Sequence, residues 1–165
     1  MKNRSNKQAG STKRERGSIL ATSAIGMLAI LLAVGLGVDI SRFYLTKAEL
    51  QNAADAAALA AVSALDTSPT GIHKAVDRAV VAMNKYDFRT TAVSFPRANV
   101  LFAKNLNDSY MSEASASVAT TAADIRFVKV TTDPSAVPVS FAISVLGTSQ
   151  NQITTATAGF SVPLN

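Results

Sequence analysis

From Gly17 to Val38 the chain carries no charged residue, a run of 22 positions. Within Ile19–Val38 the only hydroxyl residues are Thr22 and Ser23. As a helix the run is about 33 Å long, enough to cross a hydrocarbon layer of about 30 Å. A helix satisfies its own backbone hydrogen bonds, so it is the expected form of such a run in lipid.

The flanking charge is one-sided. Lys2, Arg4, Lys7, Lys13, Arg14 and Arg16 face one acid, Glu15, before the run begins. That net +5 equals the formal charge of the whole 165-residue chain, so the remainder is neutral. By the positive-inside rule, residues 1–17 form a basic cytoplasmic tail, residues 18–38 span the membrane, and the chain beyond Val38 is extracytoplasmic. The tail also suits anionic lipid headgroups. Nucleic acid is not an expected partner: the folded part clusters neither basic residues nor stacking aromatics. Three fates of the apolar run stand side by side. One is a retained anchor. The second is a conventional signal-type cleavage, although the apolar core exceeds the usual length of about 7–15 residues. The third is a prepilin-type cut at Gly17-Ser18, the candidate processing site. That pattern places Glu at the fifth residue after the cut, and here the residue is Thr22.

Helix-forming sequence continues past the run. Asp39–Leu65 contains neither Pro nor Gly, and eight of the twelve residues from Ala53 to Ala64 are Ala, the strongest helix former. One helix of about 45 residues is expected, ending near Asp66–Pro69 because Pro disfavours helix in the residue before it. Residues 39–66 are its extracytoplasmic part. Ala29, Ala33 and Gly37 make a small-residue stripe at spacing four, suited to close approach of a partner helix or a second copy of this chain. Ala53, Ala57 and Ala61 make a second stripe, for which the protein's own domain is the expected partner. Asp39 stands at the membrane edge, placed to pair with Arg42 or with a partner helix, or simply to stop the helix sliding inward.

Residues 67–165 read as a small α+β domain. Ile72, Ala75, Val76, Ala79, Val80 and Met83 give Gly71–Phe88 an amphipathic helical face. Ala92–Phe95 reads as a weak strand, Val100–Ala103 as a better one, and Asn105–Ser109 as a turn. Ser115–Thr121 has a strand-like alternation, Ile125–Val130 is the clearest strand, and Asp133-Pro134 turns the chain. Pro138 opens a helix, Val139–Leu146, that Gly147 stops. Ile153–Val162 closes the domain as a Thr-rich strand. Few helices are available as crossovers, so the pairing is antiparallel.

Catalytic chemistry finds little foothold. There is no Cys and no Trp, and His73 is the one His. Thiolate metal sites and cysteine-based catalysis are excluded outright. His73 beside Lys74 reads as a solvated residue of a first helical turn. Asp66-Thr67-Ser68-Pro69-Thr70 differs by one residue type from a metal-adhesion loop, but an Ala-rich helix precedes it and a helix-stop turn is expected. No cofactor, metal or enzymatic activity is expected.

Arg16-Gly17, the apolar run, Gly37-Val38-Asp39 with Arg42 and Tyr44, and above all Leu50-Gln51-Asn52-Ala53-Ala54-Asp55-Ala56-Ala57-Ala58-Leu59-Ala60-Ala61 resemble the start of TadE/TadG-like proteins of the Flp, or tight-adherence (Tad), pilus assembly system. Asp124–Val130, Val137–Gly147 and the Ile-Thr-Ala-rich strand after them are similar to the family's order of strand, proline-led short helix ending in Leu-Gly, and final strand. The resemblance implies a bacterial inner-membrane protein with a cytoplasmic N-terminus and a periplasmic, pilin-like antiparallel domain. It also implies a role as accessory or minor pilin-like subunit of the assembly or secretion apparatus, partnered by membrane lipid and other pilus-assembly subunits or by further copies of itself. The other reading is an envelope-anchored binding module unrelated to pili.

Overall fold

The computed structural model describes residues 12–84 and 95–160. The apolar run and the alanine-rich segment form one unbroken helix, α1, Thr12–Val62, of 51 residues, which is about 76 Å long. No Pro interrupts it, and three hydroxyls within it bond to its own backbone. Thr22 Oγ1 donates to the Ser18 carbonyl at 2.9 Å, Ser41 Oγ to the Gly37 carbonyl at 2.9 Å, and Ser23 Oγ to the Ile19 carbonyl. Such back-bonding gives these three hydroxyl protons a partner in an apolar medium. The helix tightens after Val62: the Ala64 and Leu65 N–H groups donate to the carbonyls three residues earlier, at 3.0 and 3.1 Å.

The reversal into α2, Pro69–Asn84, is built by Asp66 and Ser68. Asp66 Oδ1 accepts from the Ser68 N–H and hydroxyl, at 3.1 and 2.6 Å. Ser68 Oγ in turn accepts from the Gly71 N–H at 3.1 Å. Ser68 is thus the N-cap and Pro69 the first helical residue, where a missing N–H costs nothing. A Cβ on Gly71 would collide with the Asp66 carboxylate, so the turn requires glycine there. The D-x-S-x-T string is therefore a stop-and-start turn between two helices.

The core lies between α1, α2 and a sheet. Ala53, Ala54, Ala57, Ala58, Ala61 and Val62 of α1 pack on Ile72, Ala75, Val76, Ala79 and Met83 of α2, all buried. Methyl-sized side chains on α1 let the two backbones approach closely. The sheet comprises β1 Val100–Ala103, β2 Phe127–Thr131 and β5 Thr155–Gly159, antiparallel in the order β1-β2-β5. Val130 lies opposite Val100 on one side and Ala156 on the other. In β2, Val128 and Val130 face the core while Phe127, Lys129 and Thr131 are half-buried. The Phe127 ring covers Gly159, the residue opposite it. A two-stranded antiparallel ribbon, β3 Ser135–Pro138 with β4 Ser149–Gln152, extends beyond the sheet.

The α+β class, the long helix and the antiparallel pairing agree with the sequence, and several local assignments are corrected. Ser115–Thr121 is not a strand but parts of two short helices, α3 Glu113–Ala116 and α4 Ala119–Ala122. Its Ser/Ala alternation has period two, yet only Ala116 and Ala122 reach the core, six residues apart. Pro138 ends β3 instead of opening a helix, because it pairs with Ser149. The helix that Gly147 stops, α5, is only Ile143–Leu146. Gly147 has φ 75, a conformation in which glycine is unstrained. The Thr-rich strand is split at Ile153-Thr154, where Thr132 and Thr154 bond to each other: the Thr132 N–H to the Thr154 carbonyl at 2.9 Å, and the Thr154 N–H to Thr132 Oγ1 at 3.0 Å. The expected strand at Ala92–Phe95, the end of the Gly71–Phe88 helix and the end of the last strand fall largely outside the described residues.

Candidate functional site

The long helix has three surfaces with different work. From Ile19 to Val38 its large apolar side chains are exposed, among them Leu20, Leu28, Leu31, Leu32 and Val34. By length and composition this helix could cross a membrane. Gly17 and Ser18 lie at its exposed start, and Ala29, Ala33 and Gly37 are likewise exposed. Below, Leu50 and the alanine face are buried. Within the Leu50–Ala57 string, Leu50, Ala53, Ala54 and Ala57 point into the core, Ala56 is half-buried, and Asn52 and Asp55 face solvent. Gln51 Nε2 donates to Asp55 Oδ1 at 2.9 Å and to the Thr155 carbonyl at 3.4 Å, so it ties α1 to the start of β5.

Between these surfaces sits a clasp. Asp39 is 0% exposed, and a buried carboxylate needs partners. It finds them in three successive backbone donors 101 to 103 residues away. Oδ1 accepts from the Ser140 N–H at 3.0 Å, and Oδ2 from the Phe141 and Ala142 N–H groups, both at 2.8 Å. Arg42 Nη1 donates to Ser140 Oγ at 2.8 Å. Asp39 and Arg42 thus both hold the segment that links β3 to α5; the sequence had left Asp39 open between a pair with Arg42, a partner helix and a boundary residue that stops the helix sliding inward. Four residues earlier, buried Gly35 receives Phe141: a Cβ at Gly35 would lie 2.6 Å from Phe141 Cβ. Gly35, Asp39, Arg42 and Thr46 succeed one another at spacings of four, three and four along one face. That face leads down to Leu50 and the alanines, so the domain is seated on α1 from Gly35 onward. Ala33 is two residues, about 200°, around the helix from Gly35. The Ala29–Ala33–Gly37 stripe therefore looks away from the domain.

A second polar cluster lies on the N-terminal half of α2. His73 is exposed, as the sequence placed it, and its Nδ1 bonds to Glu113 Oε1 at 2.7 Å. Arg97 Nη2 donates to the same oxygen at 2.6 Å, Arg97 Nε to Glu113 Oε2 at 3.2 Å, and Arg97 also pairs with Asp77. Burial pushes the Glu113 carboxyl up, but the bonds from Arg97 and His73 outweigh it and hold the group below the ordinary glutamate value. The Arg97 guanidinium is held charged by Glu113 and Asp77. The cluster joins α2, the turn before β1 and α3, and every member is engaged in structural bonds. Among the described residues no three His, Cys, Asp or Glu side chains converge on a metal-sized space.

Sequence reasoning missed Gly35, Phe141 and the Glu113 cluster. One signal for the first was present: a glycine four residues before the only acid between Gly17 and Lys47.

No curated protein and no solved structure matches the chain. A family match covers the long helix, and the C-terminal half, including β1 to β5, lies outside it. That match begins at the candidate processing glycine, takes in the apolar run and the clasp residues of α1, and ends with the buried alanine face. Residues 17–64 of the 165 match the family described as "Putative Flp pilus-assembly TadE/G-like", so the long helix is similar to the corresponding segment of that family.

Proposed function

We propose that the protein is a membrane-anchored accessory or minor pilin-like subunit of a Flp/Tad pilus assembly apparatus, with a mechanical role. One observation carries this reading. A TadE/G-like helix of 51 residues exposes apolar side chains around its first half and buries an alanine face in its own domain along its second. Such a helix transmits position between lipid and domain without a joint. The anchor is residues 18–38, the tail of residues 1–17 stays in the cytoplasm, and the domain of residues 67–165 projects into the periplasm from the inner membrane on residues 39–66. The one-sided charge of the tail supports that orientation. The exposed Ala29–Ala33–Gly37 stripe, facing away from the domain, is the seam for a partner subunit or a second copy. The role needs no catalytic group.

The seam is tested by Ala33→Leu with Gly37→Leu in the native host. Neither position touches the domain, so the double variant should insert normally and lose co-purification of pilus-assembly partners. Undiminished co-purification rejects the seam. The intact mass of the wild-type chain from host membranes tests the anchor: a value near 17.2 kDa is expected, and a loss extending to about residue 37 removes the reading.

A further inference from the structure

The C-terminal part of the domain is chemically unlike the rest. From Pro134 to Asn165 the sequence holds no charged residue and no His, a stretch of 32 positions within an otherwise charge-bearing domain. The described part of this stretch comprises the β3–β4 ribbon, the link to α5, α5 itself and β5. The charged groups of the domain, including Glu113, Arg97, Asp77, Lys104 and Asp124, sit on the other elements and pair among themselves.

At the tip of the ribbon two large apolar side chains face outward: Phe141 is 58% exposed and Ile143 48%. Their setting fixes their level. Phe141 lies on Gly35, three residues inside the end of the charge-free run at Val38, so it reaches about 5 Å above the run's lower edge. Much of the backbone that brings it there has its donors bonded. The Ser140, Phe141 and Ala142 N–H groups end on Asp39. The Val139 N–H donates to the Thr148 carbonyl at 3.0 Å, and the Leu146 and Gly147 N–H groups to the Ala142 and Ile143 carbonyls. A link whose Val139–Ala142, Leu146 and Gly147 donors are bonded, with no charged residue of its own and an outward Phe, suits an apolar surrounding.

The geometry points to a lipid-seated foot: the tip around Phe141 and Ile143 dips into the acyl–headgroup boundary beside α1, and Asp39 is the bracket that holds it at that depth. The occupant of this surface is phospholipid, because the tip is at the level of a run whose own side chains would already be in lipid. The inference rests on α1 spanning the membrane. Its consequence is orientation. A domain fastened to the helix at Gly35–Arg42 and to the bilayer at its tip cannot swing about the helix axis, and presents a fixed side to its neighbours.

The chain has no Trp, so single-Trp variants of the full chain report their own surroundings. Phe141→Trp, Leu28→Trp and Leu106→Trp are reconstituted separately into phosphatidylcholine vesicles, with and without bromines on the upper acyl carbons. Leu106 lies in the turn after β1, at the end of the sheet opposite the ribbon, and is 54% exposed. Expected are blue-shifted emission and loss of intensity to brominated lipid for Phe141→Trp and Leu28→Trp, with neither for Leu106→Trp. Quenching of Leu28→Trp without quenching of Phe141→Trp overturns the foot and leaves the anchor standing. Blue-shifted but unquenched emission from Phe141→Trp means that protein covers the tip, which also overturns it. Absence of quenching at Leu28→Trp removes the anchor and the foot together. Should Phe141→Trp fail to fold, Ile143→Trp, on the same tip, gives the same reading.

Discussion

Asp39 joins two parts of the chain that are a hundred residues apart, and it does so as an acceptor for backbone donors. Three N–H groups converge on two carboxylate oxygens, an arrangement an amide cannot copy. In Asp39→Asn one oxygen is replaced by an NH2 group, which would face either Ser140 N–H or the Phe141 and Ala142 N–H groups, donor against donor. We expect this variant to lower the thermal midpoint of the reconstituted protein and to open the 139–147 segment to protease, while the α1–α2 core keeps its protection. Equal protease resistance in Asp39→Asn and wild type would mean that the clasp does not hold the domain to the helix. The sequence showed Asp39 as the conspicuous charge at the membrane edge and stopped there. Its partners are backbone groups of residues 140–142, and backbone donors leave no mark in a sequence. Phe141 on Gly35 was hidden for a related reason, since a glycine inside an apolar helix looks like part of a small-residue stripe whichever way it faces.

Elements with a repeating chemical pattern were legible, and those decided by a single distant contact were not. Helix α1 arises from an uninterrupted run of helix formers, α2 from its apolar face, and β2 from alternating Val128 and Val130. By contrast β3 and β4 are mostly polar or small, Ser135 and Ala136 opposite Gln152 and Asn151, with Val137 the one large apolar residue buried there, and they are set by pairing with each other. Within α1 the alanine face acts by being small. Ala57 is 0% exposed and part of the α1–α2 core. Ala57→Leu must force the helices apart and should cost about 1–3 kcal/mol of stability. Leu59, 66% exposed on the same helix, is the control: Leu59→Ala should stay within about 0.5 kcal/mol. Chemical denaturation in detergent measures both. A neutral Ala57→Leu would mean that the two helices are not in close contact, and the packing described for the core would be wrong.

Taken whole, the molecule is a rod with a domain fastened to one side. The rod is similar to a TadE/G-like segment over residues 17–64, and the fastening starts within the apolar run at Gly35 and ends at the alanine face. Length of helix is thus shared between an exposed apolar run long enough to cross a membrane and support of the domain. The charge-free ribbon faces the same end of the rod, so the chemical asymmetry of the domain and the direction of the helix agree. The central claim is that one straight helix passes from lipid into the domain. Spin labels at Leu28→Cys and Leu59→Cys test it in a chain with no native Cys, both sites being exposed and 31 residues apart. In vesicles the account predicts a narrow separation of about 47 Å, with the label at position 28 reached by oxygen from the lipid and the label at 59 reached by a water-soluble paramagnetic reagent. A broad or much shorter separation, or a label at 28 open to the aqueous reagent, would contradict it.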